Sequence, residues 1–160
     1  MPELLVEYLS EEIPARMQRR AADELGRLFG AALKDNNLEF ESIATYATPR
    51  RLTVHVTGVP ATQPTQEIER KGPRTDAPEK ALEGFLGSVP VTIEQCEVRE
   101  DKKGSFYVAC WTEEGGDSKD VLSGIVTDVT TDLSWPKSMR WSETTFRWVR
   151  PLHNVLAVFD

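Results

Sequence analysis

The sequence predicts an α+β fold: a mixed, largely antiparallel sheet of about six to seven strands, with two longer helices and one short one. Three observations carry this expectation. Two stretches repeat apolar residues at the three-and-four spacing of a helix, Met17, Ala21, Leu25, Leu28, Phe29 and Ala32 in one, Val121, Leu122, Ile125, Val129 and Leu133 in the other. Residues 51–59 alternate apolar and polar with the period of two that belongs to a strand. The strand-like runs also follow one another through short turns, which suits antiparallel pairing.

Taken in order, residues 4–9 (LLVEYL) form a short apolar run suited to a mostly buried strand. Ser10, Glu11, Glu12 and Pro14 then read as a helix start, with acids near the positive end of the helix dipole. A helix is expected over 14–35, with Arg16, Arg20, Asp23 and Arg27 on its polar face, Arg20–Glu24 and Asp23–Arg27 as i,i+4 pairs, and Asn36-Asn37 as its stop. Residues 40–47 and 51–59 read as two strands joined at Thr48-Pro49-Arg50, where the proline fixes φ. Pro, Thr, Gln and charge without periodicity mark 60–78 as a loop or flexible excursion. A short helix over 78–86 precedes a hairpin made of 91–99 and 106–111, turning at 101–104. The second amphipathic helix, 117–133, is rich in β-branched residues and depends on packing. Residues 155–159 (VLAVF) read as a buried strand, and their closeness to residue 160 raises the expectation of a longer parent chain, of which 1–160 is one N-terminal α+β region. The expected core draws on Leu5, Met17, Leu25, Phe29, Leu52, Val54, Phe85, Phe106, Val108, Leu122, Ile125, Val155 and Leu156.

Composition bounds the function. The chain has 160 residues and a net charge of −7, an acidic balance unlike that of a dedicated DNA-binding domain. No run approaches the 18 or more apolar residues of a membrane span, and MPELLVEYLSEEIP lacks the basic start of a secretory signal. Cys96 and Cys110 read as free thiols of a reducing compartment, and with His55 and His153 they fit no zinc spacing. The phosphate-loop, dinucleotide and nucleophile-elbow motifs are missing. Residues 136–139 echo the lysine–serine loop of class I aminoacyl-tRNA synthetases, but the His-x-Gly-His partner and the fold that loop requires are not there. No catalytic constellation can be assembled, so the residues point to a binding or scaffold piece.

The segment 135–153 (WPKSMRWSETTFRWVRPLH) stands apart. It holds three of the four tryptophans and four cations, Lys137, Arg140, Arg147 and Arg150, against one acid, Glu143. Cations interleaved with aromatics suit a phosphate-bearing partner. The competing reading places the tryptophans in the core and leaves the arginines to snorkel or pair.

Seven stretches, PELLVEYLSEEIPARMQ, ATPRRL, ERKGPR, ALEGF, KGSFYVA, WPKSMRW and RWVRPLHNVLAVFD, together resemble the N-terminal portion of the beta subunit of bacterial glycyl-tRNA synthetase, in order and from end to end. Two departures stand out: the connection at 142–146 is short, and Asn154 replaces a more usual small residue or tryptophan. The resemblance implies a cytoplasmic heterotetramer of two alpha and two beta subunits that joins glycine to its tRNA. It implies that the alpha subunit holds the class II adenylating core with its ATP and Mg, so this fragment needs no cofactor and is inactive alone. The beta subunit serves tRNA recognition and assembly, with HD-type and anticodon-binding domains downstream. Expected partners are the alpha subunit and glycine tRNA, with neither DNA nor membrane. Three clusters are candidates for RNA contact: Arg50 and Arg51 on a tight turn; Arg70, Lys71 and Arg74 on a loop with a flexible Gly72; and Lys137, Arg140, Arg147 and Arg150. The rival is a purely structural bridge between the alpha subunit and downstream beta domains. A weaker third reading is a hydrolytic activity built on His153 and a neighbouring acid.

Overall fold

The computed structural model describes residues 2–101, 104–141 and 143–160. Its elements run β1 (Glu3–Ser10), α1 (Ala15–Asp35), β2 (Ser42–Thr48), β3 (Arg51–Thr57), β4 (Gln66–Arg74), α2 (Glu79–Leu86), a single 3₁₀ turn (Ile93–Gln95), β5 (Glu97–Asp101), β6 (Gly104–Glu113), α3 (Ser118–Asp132) and β7 (Leu152–Phe159). The class and strand number are as expected, but the strands form two antiparallel sheets, ordered β2-β3-β1-β7 and β4-β6-β5. They belong to two compact units. One comprises the chain up to Gln63 together with Gly116–Asp160, and the other is Pro64–Gly115.

In the first unit, period-two alternation places Leu4, Val6 and Tyr8 of β1 and Leu52, Val54 and Val56 of β3 in the core. The stripes of α1 (Met17, Ala21, Leu25, Phe29, Leu33) and α3 (Leu122, Ile125, Val129) cover them. Helix α1 stops at Asn37, whose φ of 54° is the left-handed conformation that asparagine tolerates; Leu38 N–H then closes onto the Leu33 carbonyl at 2.9 Å. Pro14 caps its start without a side-chain bond, and the expected acids lie ahead of the first turn, not in it. Arg27 forks onto Glu24 at 2.7 and 2.9 Å, where the sequence pointed to Asp23; both lie within helical reach and Glu24 gives the bidentate geometry. Asp117 caps α3 by accepting from Lys119 N–H, and Thr127, Thr130 and Thr131 bond back to carbonyls four residues earlier.

In the second unit, β4 replaces the loop expected over 60–78. Its mixed charges hid a strand whose pairing partner, β6, lies some forty residues on. A register shift between Lys71 and Arg74 accommodates Gly72 and Pro73. A Cβ at Gly72 would lie 2.6 Å from the Phe85 ring, so the glycine lets α2 pack against β4. The expected hairpin exists as β5–β6; Lys102 and Lys103 of its turn, like Ser142 of the short 142–146 connection, lie outside the described residues. Cys96 and Cys110 are free and half-buried, and burial pushes the Cys110 thiol up.

Five expected core residues are less enclosed, among them Val155, which is half-buried against the core. Leu5 and Leu156 are exposed because register turns them away from both helices, while Phe85 and Phe106 are half-buried in a unit whose buried residues are Val108 and Ala109.

Candidate nucleic-acid interface

The segment after α3 sorts its aromatics inward and its cations outward. Met139 and Trp148 form an antiparallel bridge, each backbone N–H donating to the other's carbonyl at 2.8 and 3.2 Å. Trp148 is fully buried. It stacks on Tyr8 at 5.6 Å and Phe146 at 6.0 Å, and meets Trp135 edge-on at 5.1 Å. Trp141 meets the Phe146 edge at 5.6 Å. Trp148 thus lies in the core, while Trp135, Trp141 and Phe146 are half-buried against it and pin the segment. Lys137, Arg140, Arg147 and Arg150 remain exposed on its outside. Arg147 donates to the Ser138 hydroxyl (3.1 Å) and carbonyl (3.3 Å), and Arg150 to the Val149 carbonyl at 3.4 Å. None of the four belongs to an ion pair among the described residues.

Arg50 and Arg51 occupy the β2–β3 turn, which is stitched to the chain leaving β1: Ser10 N–H donates to the Arg50 carbonyl (2.9 Å) and Ile13 N–H to the Pro49 carbonyl (2.6 Å). Their charges are shared with acids. Arg50 donates through Nε to the Ser10 carbonyl and faces Glu11 at 3.5 Å, while Arg51 Nε lies 3.4 Å from Glu7. From β7, His153 Nε2 meets Glu11 Oε1 at 2.7 Å. That hydrogen bond first, and the Arg50 charge second, hold the Glu11 carboxyl below its ordinary range. Three segments far apart in sequence, 10–14, 48–51 and 150–153, thus meet at one end of the four-stranded sheet. They surround an open hollow of about 590 Å³ lined in part by Glu11, Glu12, Gln18, Pro49 and Arg150. His153 does have an acid beside it, and the Ser10 hydroxyl is buried and donates to the Glu11 carbonyl.

The third cluster is taken apart by β4. Successive residues of a strand point to opposite faces, so Arg70 and Lys71 diverge. Arg70 donates to the Ser88 carbonyl at 3.0 Å, and the Lys71 ammonium sits 3.8 Å over the Phe106 ring. Gly72 is held in the strand against Phe85 and is not the flexible loop point expected from the sequence. Arg99 bridges Glu69 and Glu97 in the same unit, a three-membered pairing the sequence did not suggest.

Among the described residues no group of three or more His, Cys, Asp or Glu side chains is placed to hold a metal ion, and no helix is long and apolar enough to cross a membrane. Sequence reasoning missed Glu11 and His153 as partners and Ser138 as the support of Arg147. The first pair carried a signal, since both lie in stretches that carried the family resemblance.

Comparison with known proteins gives a consistent picture. A family model described as glycyl-tRNA synthetase beta subunit matches residues 4–160. The chain is 48% identical over its whole length to the glycine–tRNA ligase beta subunit of Paracoccus denitrificans, 47% to that of Rhodospirillum centenum and 44% to that of Cereibacter sphaeroides. It spans 22–23% of the length of these relatives.

Proposed function

The chain belongs to the glycyl-tRNA synthetase beta subunit family, and on that premise we propose that it is the region of a glycine–tRNA ligase that meets tRNA phosphate through the 135–150 segment. The observation that carries this reading is the sorting of that segment. Its tryptophans pack inward, while Lys137, Arg140, Arg147 and Arg150 stand outside without an acid paired to any of them among the described residues. A guanidinium fork suits phosphate, and an otherwise acidic chain concentrates attraction for RNA on such a patch. Arg50 and Arg51 border the same end of the sheet, although Glu11 and Glu7 compete for them. In this reading adenylation, with its ATP and Mg, belongs to the alpha subunit, and the present region contributes tRNA engagement and assembly within a cytoplasmic complex of two alpha and two beta subunits.

The test is the salt dependence of glycine-tRNA binding by the complete ligase carrying Lys137→Ala, Arg140→Ala, Arg147→Ala and Arg150→Ala. Each lost phosphate contact lowers the slope of log K against log salt by roughly 0.7–0.9. A fall of about 3–4 with assembly intact supports the reading. An unchanged slope and affinity overturn it. A second reading, a structural bridge without RNA contact, is favoured by the exposed apolar residues Leu156 and Val158; it requires the same variant to keep its tRNA affinity.

A further inference from the structure

From Val155 to Phe159, strand β7 is apolar on both faces. Val155, Ala157 and Phe159 line one side with Leu4 and residues of α3, while Leu156 and Val158, each 47% exposed, lie on the other beside Leu5 at 38%. Such a run is typical of a strand covered on both faces and flanked on both sides. Yet β7 pairs only with β1 and forms an edge of its sheet. The opposite edge, β2, reads SIATYAT and carries Ser42, Thr45 and Thr48 along its length, whereas β7 from Val155 to Phe159 has no polar residue at all; neither edge has a Lys, Arg, Asp, Glu or Pro to blunt it.

The backbone of β7 shows what that edge offers. Glu3 and Asp160 exchange both of their backbone hydrogen bonds, at 2.6 and 3.2 Å. Antiparallel alternation then makes Leu5/Val158 and Glu7/Leu156 hydrogen-bonded pairs as well. The N–H and C=O groups of Val155, Ala157 and Phe159 consequently point to the open side. An open groove of about 490 Å³ runs along the same edge, lined in part by Leu122, Val126, Val155, Val158 and Phe159, with Lys119 and Thr127 of α3 also on its wall.

We infer that a β-strand from the part of the same subunit outside residues 1–160 adds to β7, extending the four-stranded sheet and covering Leu156 and Val158. This rests on reading the chain as part of a longer beta subunit, since it spans only 22–23% of its relatives. A tethered segment meets the edge at an effective concentration, up to the millimolar range, that a separate chain rarely reaches. The added strand carries apolar side chains on both faces, matching the strand it joins.

Hydrogen exchange on the unmodified full-length beta subunit, without alpha, tests this first. Slow exchange of the Val155, Ala157 and Phe159 amides is expected, and exchange at the rate of an open edge overturns it. Maleimide labelling of Leu156→Cys and Val158→Cys in the same subunit, with Tyr46→Cys as the exposed reference, gives the second reading. Labelling at least tenfold slower than the reference, unchanged on dilution, supports the inference. Rates equal to the reference overturn it. Protection that is lost on dilution assigns the edge to a second copy, and protection that appears only with alpha assigns it to that subunit; either overturns it too. Neither measurement reads tRNA affinity, so the RNA-binding proposal stands or falls separately.

Discussion

The Trp148 indole lies over the Tyr8 ring with planes 27° apart, which fastens the cation-bearing segment to the central strand of the four-stranded sheet. The segment's shape therefore depends on one buried ring. Trp148→Ala is expected to cost about 3–5 kcal/mol in urea unfolding, as large-to-small core changes do. Trp148→Phe should cost less, because the indole Nε1 is buried with no hydrogen-bond partner among the described residues and phenylalanine removes that donor.

Tyr8 also makes the fold sensitive to alkali. Burial pushes its hydroxyl up to about 12, with the Thr130 hydrogen bond at 3.1 Å opposing. The folded state holds the proton more tightly than the unfolded chain, whose tyrosine titrates near 10. The contribution to stability is therefore fully present below pH 10 and is lost as pH rises from 10 to 12, to the extent of about 2–3 kcal/mol. Denaturation midpoints across that window should fall in the parent, and Tyr8→Phe should remove this part of the decline.

Glu11 works in the other direction. His153 and Arg50 hold its carboxyl low, so its contribution is present above the ordinary glutamate range and fades as pH falls through the lowered value. Replacing His153 by Ala should raise the Glu11 midpoint seen by carboxyl NMR. The Arg50→Ala shift should have the same sign and be smaller.

In the smaller unit, Gly72→Ala would drive a methyl into the Phe85 ring. We expect a loss of about 1–3 kcal/mol, as for an overpacked site, read by faster hydrogen exchange over β4 and β6. Phe85→Leu on the same background should recover part of it. A double variant no better than the single would show that the ring is not the obstacle.

These elements differ in how clearly the residues announce them. Strand β3 was legible because Leu52, Val54 and Val56 face one side and Thr53, His55 and Thr57 the other. Strand β4 was not, since Ile68 is its single large apolar residue and Gly72 and Pro73 imitate a loop; its pairing with β6 is a long-range fact that no local pattern encodes. The placement of Leu5 and Leu156 escaped for the opposite reason: in LLVEYL and VLAVF both faces are apolar, so periodicity cannot choose the buried one. At the candidate interface, composition marked the exposed cations, but the inward turn of Trp148 needed the Met139–Trp148 bridge, and the meeting of Glu11, Arg50 and His153 needed the whole sheet.

The smaller unit leaves and rejoins the larger one between neighbours. Thr62 bridges to Asp117, and Gln63 N–H donates to the Gly116 carbonyl at 2.9 Å. A segment inserted between neighbouring positions of its host behaves as a cassette. It can lengthen, shrink or be exchanged during evolution with little loop-closure cost to its host, and no strand of the larger unit has to change register when it does.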